Sequence, residues 1–414
     1  MKVFFINPPF KAEYGKFSRE NRSPAITRSG ALYYPLWLIY AAAVCEKDGF
    51  EVCFLDAPAR PLNEEESLSV VRRDGQGTKL FVLDTSTPSI YSDIKFAEKL
   101  KEMFPESKVV LVGTHPSALP EETLCISEQI DAVARHEFDY IVRDLARAVR
   151  DDGSWSNVKG ITYRENGEIY ATEDMPFIEQ LDDIPFAAEF IKKYLNPEDY
   201  FFAPAAFPEI QIFSGRGCMA RCDFCVYPQT MHGHRYRLRT PENVAAEFEY
   251  IAQNFPDVKE IVFEDDTFTV KKERVIAICE LLIQKGLHKR FRWLCNARVN
   301  LDLETMKKMK QAGCHLIIPG IESSDQQILN NIKKGITIRQ VYEYVVNARK
   351  AGLLVHACYM VGNNGETRET MQGTLKLALK LNTDTAQFYP LLPFPGTKAY
   401  AWAKENGYIR GGYA

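Results

Sequence analysis

No apolar run in this chain reaches the roughly 18 residues that a membrane-spanning helix needs. The richest, over residues 31–44, is too short and is interrupted by Pro35. A charge excess is missing as well: 51 Lys+Arg stand against 55 Asp+Glu, a formal net charge of −4. Without a basic field, nothing argues for nucleic acid as a partner. The opening MKVFFINPPF reads as a strand and a turn, and lacks the charged and apolar regions of a secretory signal. Cysteine is sparse for a disulfide scaffold, with ten in 414 residues. What remains is an ordinary globular balance, 46% hydrophobic and 26% charged, long enough at roughly 150 residues each for two or three domains. A cytoplasmic protein is expected.

Seven cysteines are scattered and most simply serve packing: Cys45, Cys53, Cys125, Cys279, Cys295, Cys314 and Cys358. Three sit together, Cys218, Cys222 and Cys225. In a reduced cytosol such a cluster points to a metal.

The first 150 residues alternate apolar runs, at 3–7, 52–56, 80–85, 109–113 and 132–135, with helical patterns at 36–48, 63–73, 91–104, 121–128 and 137–150. That alternation predicts an α/β fold, a doubly wound parallel sheet with helices on both faces. Ligands of such sheets lie beyond the carboxyl ends of the strands. There stand Asn7-Pro8-Pro9, Thr85-Ser86-Thr87 and Gly113-Thr114-His115-Pro116. Each string alone reads as a turn, but the three together favour a ligand. Residues 151–205 read as a linker, with a hairpin turning at Glu165-Asn166-Gly167. From 206 to 414 the beat restarts, with strands expected at 210–214, 260–264, 292–296, 316–321, 355–361 and 385–391. Thr240-Pro241 makes a capped helix start. Six βα units predict a partial (β/α)6 barrel with its active site at the strands' C-terminal ends.

The first of these strands leads into Gly215-Arg216-Gly217-Cys218-Met219-Ala220-Arg221-Cys222-Asp223-Phe224-Cys225. Three thiolates at this spacing can hold three irons of a 4Fe–4S cluster and leave the fourth open to a substrate or cofactor. A structural zinc site is the alternative, and it would recruit His232 or His234 as a fourth ligand. Gly215-x-Gly217-x-x-Ala220 imitates a dinucleotide fingerprint, yet no helix opens at its glycines. The other strand ends carry Glu264-Asp265-Asp266, able to bind an ammonium group, and Asn296 with Arg298, a possible carboxylate clamp. Next come Gly320-Ile321-Glu322-Ser323, suited to ribose hydroxyls, and the loop Gly362-Asn363-Asn364-Gly365-Glu366, whose glycines allow close approach. Pro393-Phe394-Pro395-Gly396-Thr397 ends the sixth strand. Together they suit an amino-acid nucleoside.

The C-x-x-x-C-x-aromatic-C string, with Phe224 as the aromatic, resembles the signature of the radical S-adenosylmethionine (radical SAM) enzymes. The Asn-Pro-Pro opening and the Gly-Thr-His-Pro loop ahead of the barrel resemble that superfamily's cobalamin-binding branch. Tyr227-Pro228-Gln229-Thr230 and the following His234, Arg235 and Arg237 look like its hopanoid-biosynthesis-associated members. The resemblance implies that Cys218, Cys222 and Cys225 bind a 4Fe–4S cluster whose open iron is chelated by SAM. By the same reasoning Glu264, Asp265 and Asp266 would serve the SAM amino group, Arg298 its carboxylate, Glu322 and Ser323 the ribose, and Gly362 to Glu366 the adenine. Cobalamin would lie against Thr85, Ser86, Thr87, Gly113, Thr114, His115 and Pro116, with Glu137 as a third contact. No Asp-x-His-x-x-Gly occurs among the seven histidines, so a histidine-ligated corrin is not expected. His234 and Arg237 would face the substrate, if they are not simply an exposed arginine-rich turn.

What the resemblance implies chemically is reductive cleavage of SAM to a 5′-deoxyadenosyl radical, which takes hydrogen from an unactivated carbon. The leading expectation is radical C-methylation of a small molecule, lipid or glycan. Ring contraction, rearrangement or cyclisation of a sugar- or cyclitol-bearing, hopanoid-like intermediate is the alternative. A methylthiotransferase would need three more cysteines for a second cluster, and a corrinoid carrier or zinc module would have no use for the barrel rim. The electron would come from a donor such as flavodoxin or ferredoxin. Little chain follows Pro395-Gly396-Thr397, so the linker and N-terminal half would close the site, unless the chain is cut short.

Overall fold

The computed structural model describes residues 1–20 and 24–411. The first half builds a seven-stranded sheet from β1 (Lys2–Asn7), β2 (Glu51–Asp56), β3 (Thr78–Asp84), β4 (Lys108–Val112), β5 (Ala132–Ala134), β6 (Ile161–Glu165) and β7 (Glu168–Ala171). Their order is β2-β1-β3-β4-β5-β6-β7. The first five strands are parallel. Val3, Phe4, Phe5 and Ile6 are buried in succession, because helices cover both faces. The order 2-1-3-4-5 is flavodoxin-like, and it reverses between β1 and β3, the switch point at which such sheets take their ligands.

The expected hairpin exists, but it does not belong to a free linker. β6 pairs antiparallel with β5, and β7 with β6, so the hairpin extends the N-terminal sheet. Pairing with β5 buries Ile161 and Tyr163, a non-local gain that a local turn signal does not reveal.

The second half forms six parallel strands, β8 (Glu209–Ile212), β9 (Glu260–Phe263), β10 (Arg292–Ala297), β11 (Cys314–Glu322), β12 (Leu354–Val361) and β13 (Thr385–Pro390). They pair in sequence order as an open barrel. β13 is its outer strand and is exposed at every residue but Tyr389. Helix α1 (Leu36–Lys47) lies at the seam of the two halves and is buried from Leu36 through Cys45. Trp37 packs edge-on against Tyr227 and His232, and the Phe213 N–H donates to Tyr40 Oη at 3.1 Å. One hydrophobic cluster runs through both halves, from Val3 and Val82 to Ile261 and Trp293.

Candidate active site

After β8 the chain turns at Ser214, and Gly215–Arg216 pair antiparallel with Arg237–Leu238. This short ribbon pins both ends of the cysteine-bearing segment. At Gly217 φ is 88°, and a Cβ there would stand 2.2 Å from the Arg235 carbonyl oxygen, so the approach requires glycine. The Gly217 N–H donates to Asp266 Oδ2 at 3.0 Å. Gln229 Nε2 donates to the carbonyls of Cys225 at 2.7 Å and Asp223 at 3.3 Å. His234 Nδ1 donates to those of Cys218 and Ala220, at 3.2 and 3.1 Å. The loop is held by its backbone carbonyls, and its thiols turn inward.

Cys218, Cys222, Cys225 and Phe224 line a cavity of about 220 Å³ at the C-terminal ends of the barrel strands. Glu264, Asp266, Asn296, Arg298, Glu322 and Lys334 form its polar lining. Tyr33, Phe202, Ile318, Met360, Leu391 and Phe394 line it as well, Ile318 beside Asn296 in strand register. Lys334 Nζ donates to Glu322 Oε1 at 2.6 Å, and Arg298 donates to the Lys334 carbonyl. Burial pulls the Lys334 ammonium down, but Glu322 and Cys222 outweigh it and hold the pKa above its ordinary value. A Cβ on Gly320 would stand 2.4 Å from Glu322 Oε1 and 2.6 Å from Lys334 Nζ, so glycine makes room for this pair.

The donor set fits a 4Fe–4S cluster. Three thiols of one loop face one space, and the histidines proposed as zinc ligands are turned elsewhere. His234 holds carbonyls, while His232 stands 3.2 Å from Asp266 Oδ2, packed among Trp37, Phe213 and Tyr227. His356 does line the cavity, but Thr385 and Gln387 engage its two nitrogens. Among the described residues no three His, Cys, Asp or Glu side chains are grouped to hold a single ion.

Several expected contacts lie elsewhere. Asp265 accepts from Ser214 N and Oγ, both at 2.6 Å, and so secures the end of β8. Ser323 is buried under the loop, where its Oγ accepts from Asp325 N at 3.2 Å. Glu366 closes its own loop, taking the N–H of Gly362 at 2.5 Å and of Asn363 at 3.0 Å; neither Gly362 nor Glu366 lines the cavity. Missed in the sequence were Lys334, Gln229 as the clamp of the cysteine loop, and Cys358, which lines the cavity from β12.

Glu137, expected at a corrin, and Arg237, expected at a substrate, meet each other. Glu137 Oε1 accepts from Arg216 Nη1 at 2.8 Å and its Oε2 from Arg237 Nη1 at 2.6 Å. Asp139, which begins helix α2 (Asp139–Arg150), takes Arg216 Nη1 and Nη2 at 2.8 and 3.0 Å. These four side chains are at most 4% exposed. Burial raises the Glu137 carboxyl, but Arg216 and Arg237 overcome it and hold the pKa below the usual range. Arg237 also donates to the His232 carbonyl at 2.8 Å. The ion cluster therefore ties the N-terminal sheet to the ribbon that carries the cysteines.

At the N-terminal sheet, Thr85, Ser86 and Thr87 follow β3, and Gly113, Thr114, His115 and Pro116 follow β4, as expected. Thr85 Oγ1 donates to Asp93, and His115 Nδ1 stands 3.1 Å from Thr87 Oγ1. Burial lowers the His115 pKa to about 4, so the ring is neutral at physiological pH. Burial also pushes Asp84 up, and its Oδ2 is a buried oxygen with no partner. In the β1/β3 crevice, Arg19 Nη1 donates to Asn7 Oδ1 at 2.8 Å and to the Pro8 carbonyl at 2.6 Å, and Arg19 pairs with Asp93. Hydroxyls, a neutral histidine and an orphaned carboxyl oxygen at a flavodoxin-type switch point fit a neutral, amide-rimmed cofactor in place and kind. The crevice itself is filled by Arg19.

Comparison with known proteins places this arrangement. The radical SAM superfamily matches residues 212–378, and the B12 binding domain matches residues 22–146. An uncharacterized methyltransferase of Pyrococcus horikoshii is 31% identical over 99% of this chain and 84% of its own length. The anaerobic magnesium-protoporphyrin IX monomethyl ester cyclase of Cereibacter sphaeroides is 27% identical over 90% of this chain, which spans 60% of that relative's length. Among solved structures, the radical SAM methyltransferase TsrM of Kitasatospora setae superposes with a TM-score of 0.76 at 17% identity, over 98% of this chain and 76% of TsrM. The cobalamin-dependent enzyme OxsB does so at 0.78 and 14%, over 98% and 61%. The chain belongs to the cobalamin-dependent radical SAM enzymes, whose cofactors are a 4Fe–4S cluster, SAM and cobalamin. No helix among the described residues is long and apolar enough to cross a membrane.

Proposed function

We propose that this enzyme methylates an unactivated carbon of a predominantly apolar small molecule. The mixed lining of the cavity, charged and apolar residues around the three cysteines, carries the reading. Its charged part, with Glu264, Asp266, Arg298 and Glu322, suits the charged end and ribose of SAM beside the three cysteines. Its apolar part, with Tyr33, Phe202, Met360, Leu391 and Phe394, suits a substrate skeleton that is lipid-like or aromatic more than a bare glycan. When bound, the cluster with SAM supplies hydrogen-atom abstraction, and the corrinoid supplies a methyl group. The chain's own part is to hold and exclude. Lys334 holds Glu322 in place at 2.6 Å, Asp266 fixes the Gly217 N–H beneath the cysteine loop, and the apolar lining keeps water from the reacting carbon. Thr85, Ser86, Thr87, Gly113, Thr114, His115 and Pro116 would hold the corrinoid.

Relatives point the same way. They include a cytidylyl-2-hydroxyethylphosphonate methyltransferase, a bacteriochlorophyllide d C-12(1)-methyltransferase and a hopanoid C-3 methylase, at 23–24% identity. Cyclase relatives at 27–28% identity favour ring formation as a second reading. We assign the reducing cytoplasm as the compartment, and a flavodoxin- or ferredoxin-class protein as the electron source. The test is product analysis with SAM deuterated in its methyl group, a reductant and candidate lipids or aromatic macrocycles. Methylation yields S-adenosylhomocysteine and a deuterated product. A product lacking the label, without S-adenosylhomocysteine, selects the cyclase reading.

A further inference from the structure

The outer side of the cysteine loop differs from the side that faces the cavity. Met219, next to the buried Cys218, is 64% exposed. Arg221, the next residue but one, is exposed, as are Lys333 and Lys398. Two backbone hydrogen bonds bring these lysines to the loop. Asp223 N–H donates to the Ile332 carbonyl at 3.2 Å, and Ala399 N–H donates to the Asp223 carbonyl at 3.1 Å. The three cations make no ion pair among the described residues, whereas the nearby Arg235 is taken up by Glu179. The whole chain carries a net charge of −4, so this patch is a local reversal of sign on an acidic molecule.

We propose that the outer side of the cysteine loop, with Met219, Arg221, Lys333 and Lys398, is the docking surface for an acidic one-electron carrier protein of the flavodoxin class. The proposal rests on the reading that Cys218, Cys222 and Cys225 hold the cluster. Charge complementarity selects the partner's sign and steers its approach, and Met219 supplies an apolar centre that excludes water at contact. The alternation along the loop does the rest: Cys218 and Cys222 point in where Met219 and Arg221 point out, so a carrier on this face lies one residue layer from the thiolates. The step is a bare electron transfer. The reduced carrier loses one electron, the oxidised cluster gains it, and no bond or proton moves.

The test uses holoenzyme under anaerobic conditions and follows bleaching of the cluster's visible absorbance. Wild type is mixed with reduced flavodoxin at rising ionic strength, then with dithionite, and both are repeated on the Arg221→Glu/Lys333→Glu/Lys398→Glu variant. The expected result is a flavodoxin rate that falls with salt in wild type and is about tenfold or more slower in the variant at low salt. Dithionite rates at high salt should be equal for the two proteins. Binding of oxidised flavodoxin, read by titration calorimetry, should weaken in parallel. A salt-independent flavodoxin rate in wild type, or an unchanged low-salt rate in the variant, overturns the docking surface. Failure of wild type to acquire an iron–sulfur chromophore would instead overturn the cluster reading beneath it. Lys333→Gln/Lys398→Gln, which leaves the cysteine loop untouched, gives the same sign with a smaller change.

Discussion

At the C-terminal ends of β8 to β13 the side chains stand around a cavity of about 220 Å³, whereas at the ends of β1, β3 and β4 they bond to one another and Arg19 fills the crevice. The strands at both places are parallel, and both sheets collect polar residues where these strands stop. The difference lies in where the hydrogen bonds go. Around the cysteine loop they run to backbone carbonyls behind it, through Gln229 and His234, and the space in front stays open. At the N-terminal sheet they run across the space itself, from Arg19 to Asn7, Pro8 and Asp93. The position of a site follows from topology, but whether it stands open follows from which polar groups the chain satisfies internally.

Removing a thiolate from the open end should have the largest effect. Cys222→Ala is expected to abolish the iron–sulfur chromophore and SAM cleavage, measured after anaerobic reconstitution, while cobalamin binding at the other sheet persists. A variant that kept its colour and cleaved SAM would break the assignment of chemistry to the barrel end. Next comes the seam between the two ends. Glu137→Gln leaves Arg216 and Arg237 buried with only Asp139 as counter-charge, and should lower stability by about 3–5 kcal/mol, read from the denaturant midpoint. A loss under about 1 kcal/mol would mean that the seam is not held by this charge.

A dependence on pH sharpens the contrast between the barrel's open mouth and its closed floor. There Glu209 and Glu260 lie side by side in register, both fully buried. Burial pushes Glu209 up to about 8. Between roughly pH 4.3, where the unfolded carboxyl ionises, and pH 8, the folded protein binds this proton and the unfolded chain does not. Stability should therefore fall as pH rises through that window, by up to ~1.4 kcal/mol per pH unit, and level off above it. Glu209→Gln should flatten the fall in urea unfolding measured across the window; an unchanged slope would place the titration on another group.

Most of the fold is legible in the sequence, because its signals are local. Each of the eleven runs expected for the five parallel strands and six barrel strands overlaps a strand of the structure, and the apolar periods that predict them depend on near neighbours alone. The three cysteines are legible for the same reason, since their spacing is a property of one loop. The attachment of β6 and β7 is not, because an antiparallel edge added to a parallel sheet is a pairing between distant segments. Nor is the pairing of Lys334 with Glu322, whose only sequence sign is Gly320, a residue that reads as a turn until a Cβ there is seen to collide with both. Ser323 and Glu366 stand at the expected strand ends and still do not line the cavity, because a polar side chain at a loop has a second option: to cap nearby backbone, as Glu366 does with the N–H of Gly362.

By itself, the sequence determined that two α/β halves follow one another, that a three-cysteine loop sits on the first barrel strand, and that the strand ends carry carboxylates, amides and an arginine. Tertiary structure alone decided which of those side chains face the cavity and which are used up within the protein. Glu137 and Arg237, 100 residues apart, could be read as ligand contacts as long as each was taken alone. Brought together at less than 5% exposure, they neutralise each other, since a charge removed from water must find its counter-charge nearby. That requirement acts through space and leaves no trace in sequence spacing.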